Sequence, residues 1–484
     1  MTNSHDRFYV VVCDSVTGLN VTHTQSTPPT NIPLDPDTWD ISVKVYYGTT
    51  VADPMVGEAI ASGVVITNGQ TTPVTVNLTS AVQVDTLTLA NGKTAEGGNH
   101  GLGEPFQARV TANYKDSGGT PISALNGTDV TGSSDVIISG YDNTTAGSNT
   151  VTAAVGGLSS ATVTVAVKTL KARVADADTA GGSHTLVVYQ DETFAAAGSQ
   201  NITIADITIR SSTAGGIKEI TLTGTGYMFN LNDVGGGARS LTLQDITLKG
   251  LLSNTNPLVQ IGDGSLTMNS GSTITNNEGD SLAGGVYVGS NCSLTMNPGS
   301  SISGNKSTSS TGGVVNNGTF TMNGGTISGN EGINFGGGVY NNGTFDMYNG
   351  VIINNKDTGT YGSGGGVYLT GGTFTMHHGE ISGNEATTKG GGVYAGAPFT
   401  MDGGTISGNQ TTGAGGDGGG VYVAGWGTFT KTDSSAISAN TATGQGQQVY
   451  VIDNGGTGRL AKYRNDAAGT SVDLNSETAP GWGL

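Results

Sequence analysis

The residues best suited to acid–base chemistry follow seven Asn residues that recur along the second half of the chain. The positions after these Asn residues read Glu278, Lys306, Glu331, Lys356, Glu385, Gln410 and Thr441, of which the Glu and Lys residues ionise. If successive copies stack at about 4.8 Å, glutamates two copies apart lie about 10 Å from each other, near the upper limit for an inverting glycosidase. Because opposite charges alternate, we favour a second interpretation, an exposed ladder in which neighbouring charges neutralise each other.

Histidine and cysteine offer little further chemistry. His377 and His378 form the only histidine pair and directly follow Met376, which favours an exposed strand end over a catalytic base or a metal ligand. Cys13 and Cys292 are the only cysteines and lie far apart, so neither a disulfide framework nor a zinc site is predicted. We therefore predict no catalytic residue, no metal ligand and no cofactor-binding residue.

A recurring Gly-Gly-Val-Tyr element supplies the candidate ligand-contact residues. These are Tyr287, Tyr340, Tyr368, Tyr394 and Tyr422. If Val286, Val339 and Val367 face inward, alternation along each strand turns the tyrosines outward, as an aromatic ladder that suits sugars or protein partners. A bend at the glycines would instead turn the tyrosines into the core, and this alternative stays open.

The seven Asn residues form the most regular column in the chain. They are Asn277, Asn305, Asn330, Asn355, Asn384, Asn409 and Asn440. Each lies three residues after an Ile, at a turn where the amides of stacked copies can hydrogen-bond to one another and to backbone groups. We therefore predict a structural ladder, with ligand binding by the amides as the alternative.

These columns require a stack of short strands to position them. Units of about 25 to 28 residues contain three strands, such as "GGVYV", "GTFTM" and "GTISGN", followed by a loop of variable length. Columns of Leu or Phe, of Met and of Ile recur at strand spacing and form an inner face. Strands this short cannot bury that face alone and must stack on the next copy. The repeats therefore predict a parallel β-helix.

Two small β-sandwich domains are predicted ahead of the repeats. Residues 1–85 contain alternating runs such as "ISVKVYY" and "PVTVNL", separated by Pro, Gly and Asn clusters. Residues 86–168 show the same pattern and end in two strands around a Gly-Gly turn. Residues 169–182 are predicted to be a linker and residues 466–484 a C-terminal tail.

Composition and charge narrow the range of partners. Of the 484 residues 82 are Gly and only 12% are charged, which favours a repeat fold over an ordinary globular enzyme. A net charge of -18, without a Lys/Arg cluster, argues against nucleic acid as a partner. The C-terminal "SETAPGWGL" has no run that spans a membrane, and the first residues show no export signal, so no direct membrane span is expected.

Part of the N-terminal region resembles bacterial immunoglobulin-like domains of surface proteins. The resemblance rests on "GEPFQARVTANYKDSGG", "VIISGYDNTTAGSNTVTAAVGG" and "TVTVAV". The chain lacks the Cys, Trp and Cys of antibody domains here, so only the sandwich architecture is implied. In that family such modules act as spacers or adhesive units.

The repeats, with "GGGVY" and "ISGN", resemble right-handed parallel β-helix proteins of the pectin-lyase-like superfamily, in particular repeats of the polymorphic outer-membrane protein type. The resemblance covers about residues 183–465 and implies a right-handed parallel β-helix of about ten coils in an all-β chain. Enzymes of that superfamily cleave acidic polysaccharides with clustered Asp residues that bind calcium or act as acid and base. This chain has no Asp-Asp pair and no Gly-His-Gly, so the catalytic pattern is not carried over, and calcium binding is left open.

These observations lead us to expect an exported, non-enzymatic, adhesin-like protein, extracellular or on a bacterial cell surface. Its partner is expected to be a surface glycan, a polysaccharide or a protein of a host or neighbouring cell. Specificity is expected in loops 356–363 and 410–417, whose lengths vary while the strands do not. The alternative is a polysaccharide lyase or glycoside hydrolase with an atypical site. A Thr-x-Thr array also resembles β-helical ice-binding faces, but Asp346 and Pro398 interrupt it.

Overall fold

A computed structural model describes the greater part of the chain. The described residues are 7–15, 20–25, 37–47, 55–66, 79–80, 82–116, 119, 121, 126–133, 136–155, 157–195, 200–232, 239–280, 282–432, 434–451 and 462–464. The chain divides into two compact units, one drawn from residues 1–100 and 105–167 and the other from 101–104 and 168–484. In the described residues regular structure is almost entirely β, and helix accounts for 4% of these residues.

In the residues that the structure describes, the N-terminal unit contains three small sheets. The first is antiparallel, with strands in the order Asn20–Gln25, Arg7–Ser15, Asp37–Tyr47, Met55–Ile66 and Thr79–Ser80. The second pairs Val82–Asn91, Ala108–Asp116 and Thr128–Asp129. The third contains Ile137–Ser139, Gly147–Val155, Leu158–Ser159 and Val163–Lys168. A 3-10 helix, Ala95–Gly98, and a short strand, His100–Gly101, follow the first strand of the second sheet.

The second and third sheets form a β-sandwich because one face of each contributes to a common core. That core contains Leu87, Leu89, Val110, Ala112, Val151, Ala153 and Val165. The alternation of inward apolar and outward polar residues is the pattern expected of packed sheets. Within residues 1–85, the predicted strand "PVTVNL" (73–78) lies outside the described residues, as does the predicted tail 466–484.

The second unit is a parallel β-solenoid of about nine turns, which confirms the fold predicted from the repeats. Three long sheets follow its length. The Phe sheet contains Gly182–Val188, Ala205–Ser211, Ser240–Gln244, Ser265–Met268, Ser293–Met296, Thr319–Met322, Thr344–Met347, Thr373–Met376, Pro398–Met401, Thr428–Thr432 and Lys462–Arg464. The Ile sheet contains Glu192–Phe194, Lys218–Leu222, Ile246–Lys249, Thr273–Thr275, Ser301–Ser303, Thr326–Ser328, Val351–Ile353, Glu380–Ser382, Gly404–Ser407 and Ser435–Ser438.

The Tyr sheet is the third long sheet, and a shorter fourth sheet follows the Ile sheet in each of six coils. The Tyr sheet contains Gln200–Ile202, Phe229–Leu231, Val259–Ile261, Val286–Val288, Val314–Asn316, Val339–Asn341, Val367–Leu369, Val393–Ala395, Val421–Val423 and Val449–Val451. The fourth, called the Glu–Lys sheet, contains Glu278–Gly279, Lys306–Ser307, Glu331–Gly332, Lys356–Asp357, Glu385–Ala386 and Gln410–Thr411. Equivalent residues of successive coils pair in register.

The solenoid core consists of the columns seen in the sequence. Its Phe, Met and Ile columns are buried, and the rings of the Phe column stack at 4.4 to 5.0 Å from Phe320 to Phe429. Valines of the Tyr sheet close the same core. Each coil thus buries its apolar face against the coils before and after it, as a short-stranded repeat requires.

A helix, Leu170–Ala180, packs against the first strands of the solenoid. Thr169 begins it by accepting a hydrogen bond from the Ala172 N–H at 3.3 Å. Its apolar residues, which include Val174, join the solenoid core. The segment interpreted as a linker thus contains a helix that covers one end of the stack, the role of a terminal cap. Among the described residues no helix is long and apolar enough to cross a membrane.

Candidate functional site

The Val-Tyr elements lie in the Tyr sheet, where alternation separates their two side chains. The valines are fully buried, whereas each following tyrosine lies on the outer side of the sheet. Four of the five candidate tyrosines are partly exposed, and Tyr422 is nearly buried. The preceding loop crosses Tyr368 closely at Gly364, where φ is 68° and a Cβ would lie 2.8 Å from the Tyr368 Cα. The tyrosines therefore face outward, at the base of the loops.

Five tyrosines from successive coils stack along the solenoid and are called the Tyr ladder. They are Tyr340, Tyr368, Tyr394, Tyr422 and Tyr450. Successive ring centroids are 6.0, 4.6, 5.4 and 5.4 Å apart, with interplanar angles of 9° to 24°. Val315 separates Tyr287 from this stack. Because each interior ring has a neighbour on both faces, the partly exposed Tyr340, Tyr368 and Tyr394 present mainly ring edges and phenol groups, whereas Tyr422 is nearly buried.

Burial raises the pKa of the three interior phenol groups of the Tyr ladder. Burial, together with Tyr394, Tyr340 and the Asp357 carboxylate, raises the pKa of Tyr368 to about 12. Burial also raises the pKa of Tyr394 and of Tyr422. These groups therefore act as hydrogen-bonding hydroxyls at neutral pH.

Two further aromatic residues, Phe335 and Tyr361, project from loops beside the Tyr ladder. Phe335 is 42% exposed, and its ring centroid lies 6.3 Å from that of Tyr340 and 5.9 Å from that of Tyr368, at steep angles. Tyr361 is 77% exposed, and its backbone N–H donates to Asn334 Oδ1 at 3.4 Å. The repeat pattern singles out neither residue, because both lie in loops that differ from coil to coil.

One buried carboxylate, that of Asp357, holds both of these loops. It is 1% exposed and accepts hydrogen bonds from four backbone N–H groups. The donors are Asn334 (2.8 Å), Gly336 (2.8 Å), Gly359 (3.1 Å) and Ser363 (3.2 Å). Burial raises the pKa of Asp357, and the four N–H groups act in the opposite direction. The corresponding residues of the other coils are Gly279, Ser307, Gly332, Ala386 and Thr411.

The seven predicted Asn side chains lie inside the solenoid and are 0% or 1% exposed. From Asn305 to Asn409, each donates from its backbone N–H and from Nδ2 to Oδ1 of the Asn one coil later, at 2.9 to 3.1 Å. Nδ2 also donates to the carbonyl of an Ile in the preceding coil. At the end of the row, Asn440 Nδ2 donates a hydrogen bond to Gln448 Oε1 at 2.9 Å. This Asn ladder satisfies its polar atoms within the protein, which fits a structural role.

The charged residues after the Asn ladder pair across the Glu–Lys sheet. Lys306 Nζ lies 3.2 Å from Glu331 Oε2, and Lys356 Nζ lies 2.7 Å from Glu385 Oε1. Gln410 Nε2 donates to Glu385 Oε2 at 3.1 Å. These partly exposed pairs contribute about 0–1 kcal/mol each. Glu331 and Glu385 are thus engaged with lysines of neighbouring strands.

Two remaining candidate features, His377 and a surface groove, lie at the Phe sheet and at its edge. His377 stacks on Tyr348 at 4.7 Å, and its Nδ1 lies 3.5 Å from Asp402 Oδ2. A shallow groove of about 480 Å³, lined mainly by Gly and Ser, lies at the turn toward the Ile sheet. In the described part of the chain no three His, Cys, Asp or Glu side chains come together as a metal site. Calcium binding stays a prediction from the resemblance.

Comparison with known proteins identifies no relative of this chain. No protein-family model, no curated protein and no solved structure matches the chain.

Proposed function

We propose that this protein is a non-enzymatic, adhesin-like binding protein that acts extracellularly or on a bacterial cell surface. Its partner would be a glycan or a protein of a host or neighbouring cell. The observation that carries the proposal is the Tyr ladder, a row of stacked tyrosine rings on the outer side of the Tyr sheet with loops of unequal length beside it. Aromatic rings with polar tips suit such contacts.

The charged groups support binding over catalysis. Acid–base cleavage of a polysaccharide needs carboxylates directed at one scissile bond. Here Glu331 and Glu385 point to Lys306 and Lys356 on neighbouring strands, at 3.2 and 2.7 Å. Glu331 and Glu385, two of the residues that suggested acid–base chemistry in the sequence, are therefore neutralised by lysines.

We also propose that the solenoid belongs with the right-handed β-helices of the pectin-lyase-like superfamily, and residues 86–168 with bacterial immunoglobulin-like domains. The "GGGVY" and "ISGN" elements support the first assignment, since they form the Tyr sheet and the turn with the Asn ladder. The face-to-face sheets of residues 82–167 support the second. In such an arrangement the sandwich domains serve as spacers.

The test is a binding assay run beside an activity assay on the full chain. Binding to immobilised glycans and to whole cells is measured, while reducing sugars and unsaturated products are followed on acidic polysaccharides with and without calcium. We expect binding without product. Tyr340→Phe should weaken binding up to about tenfold, because one phenol hydrogen bond contributes about 0.5–1.5 kcal/mol. Thr373→Ala, on the exposed face of the Phe sheet, is the matched control and should bind normally. Product release would refute the proposal and favour a lyase or hydrolase.

A further inference from the structure

The Tyr ladder leaves one requirement of sugar recognition unmet. A pyranose packs its apolar C–H face against an aromatic ring face, yet Tyr368, Tyr394 and Tyr422 each have a stacked ring on either side. Their edges and hydroxyls can hydrogen-bond, but their faces are covered. The interior rings therefore cannot supply a stacking contact, which leaves this contact to the end rings, Tyr340 and Tyr450, or to a second group of aromatic residues on this side of the solenoid.

Phe335 and Tyr361, called the loop aromatics, are placed to do so. Phe335 is 42% exposed and Tyr361 is 77% exposed. The Phe335 ring packs against Tyr340 and Tyr368, the first two rings of the Tyr ladder. Exposed hydroxyl residues Thr358 and Thr360 lie in the same loop as Tyr361. Apolar ring surface thus adjoins hydroxyl groups, the combination that a sugar requires.

The backbone on both sides of each loop aromatic is held in place before any ligand binds. Asp357 accepts hydrogen bonds from residues on both sides of Phe335, namely Asn334 and Gly336, at 2.8 Å each. The same carboxylate accepts hydrogen bonds from Gly359 and Ser363, on both sides of Tyr361. Loops from two successive coils are therefore fixed by one side chain. Such preorganisation reduces the entropy cost of binding.

The surroundings indicate a neutral ligand. The protein has a net charge of -18, which disfavours a polyanion. In the Glu–Lys sheet, Lys306 pairs with Glu331 and Lys356 pairs with Glu385. Lys389 lies against the Tyr422 ring, with Nζ 5.0 Å from its centroid, toward the other end of the Tyr ladder from Phe335. A stable protein interface would need about 800 Å² per partner with an apolar centre, whereas the two loop aromatics offer a small surface with a polar rim.

We infer that the loop aromatics form the stacking site for a neutral glycan, with Asp357 as the residue that positions them. The inference rests on the proposed function and gives it a ligand class and a location. The Tyr ladder then supplies hydrogen bonds along the glycan, and Phe335 and Tyr361 supply the ring surface.

The experiment uses the full chain and defined probes. Immobilised cello-, xylo-, manno- and chito-oligosaccharides are compared with acidic oligogalacturonides, and the dissociation constant for the tightest neutral probe is then measured by calorimetry. Phe335→Ala and Tyr361→Ala should each weaken neutral-glycan binding by about tenfold, the loss expected for one aromatic contact. Tyr348→Ala is the matched control, since Tyr348 is also exposed but stacks on His377 at the Phe sheet. It should bind as the unchanged protein does.

Asp357→Asn tests the positioning role separately. In this variant the amide hydrogen exchange rates of residues 333–336 and 358–363 should rise together, although the two loops lie in different coils. The variant should bind the glycan at least several-fold more weakly, and its far-UV circular dichroism spectrum should be unchanged. Exchange that rises with no change in affinity would refute the positioning role.

The outcomes separate this inference from the proposed function. Neutral-glycan binding that both alanine variants retain, or binding restricted to oligogalacturonides, would overturn the inference and leave a binding protein. Cell binding abolished by protease but not by glycosidases would overturn it in favour of a protein partner. A chain that binds neither glycans nor cells would overturn the proposed function itself.

Discussion

Replacing one residue of the Asn ladder should destabilise the solenoid strongly, and Asn355→Ala is the clearest case. The Asn355 side chain is 0% exposed and takes part in four hydrogen bonds. Two are donated by Nδ2, to Ile327 O and Asn384 Oδ1, at 2.9 and 3.0 Å. Two are accepted by Oδ1, from the backbone N–H and Nδ2 of Asn330, at 3.0 and 2.9 Å.

The size of the effect follows from which groups lose their partners. Alanine would leave the buried backbone N–H of Asn330 without an acceptor, at about 1–3 kcal/mol, and would remove further bonds of about 0.5–1.5 kcal/mol each. Since such contributions are not fully additive, we expect the free energy of unfolding to fall by about 3–5 kcal/mol. Asn323→Ala is the matched control. Asn323 is exposed and its side chain donates one bond, to Asn297 Oδ1, so its loss should stay below about 0.5 kcal/mol.

The assay is urea unfolding of the full chain followed by far-UV circular dichroism, with the slope m compared between variants so that midpoints report stability. Amide hydrogen exchange supplies a local measurement, because the Asn330 N–H should exchange faster in Asn355→Ala. The reasoning would be refuted by an Asn355→Ala midpoint equal to that of Asn323→Ala, or by an unchanged exchange rate at Asn330.

Three further predictions concern the core and the titrating groups. Phe345→Ala should lower the free energy of unfolding by about 3–5 kcal/mol, because the ring is fully buried between two stacked rings. The neighbouring exposed residue provides the control, since Thr344→Ala should change the free energy of unfolding by less than about 0.5 kcal/mol. Coinciding urea midpoints of the two variants would contradict this prediction. Burial acts to raise the pKa of Asp178, but hydrogen bonds from residues 203–205 outweigh it and hold the pKa below 3.8. The stability it contributes is therefore present above pH 3.8 and lost as pH falls through the lowered pKa, and Asp178→Asn should remove this part of the acid dependence in an acid titration followed by circular dichroism. For Tyr368 the pKa rises from 10.0 to about 12, so its neutral form contributes stability that is present below pH 10.0 and lost as pH rises through about 12. A near-ultraviolet absorbance titration should show one fewer late-ionising phenol in Tyr368→Phe, and an unchanged late phase would be inconsistent with the packing described.

The solenoid can be predicted from the sequence because successive coils repeat the same pattern of apolar residues and glycines. Counterparts of Phe345, Met347 and Ile352 recur at strand spacing in most units, and stacking similar units is the way to bury them. The inward valines and outward tyrosines of the Tyr sheet follow from the same alternation once the strands are placed. The ion pairs of the Glu–Lys sheet likewise follow from in-register stacking.

The parts that could not be predicted depend on contacts between unlike loops. Phe335 and Tyr361 gain their positions from Asp357, and nothing local in the sequence shows which backbone groups a buried carboxylate will meet. The one available signal is an acid in a column otherwise occupied by Gly, Ser, Ala and Thr. Coverage of the Tyr368 ring faces depends on ring orientation, which residue spacing leaves undetermined.

The Asn ladder also bears on how this protein can change over evolution. Consecutive amides are separated by 25 to 31 residues of chain, yet the bonds between them keep lengths of 2.9 to 3.1 Å. Insertions are absorbed by the loops and do not reach the register of the strands. Because each amide contacts only its immediate neighbours, duplication or loss of a complete coil leaves every other coil intact. The number of coils and the content of their loops can therefore vary independently, so that recombination between repeats can generate new loop surfaces on a constant scaffold.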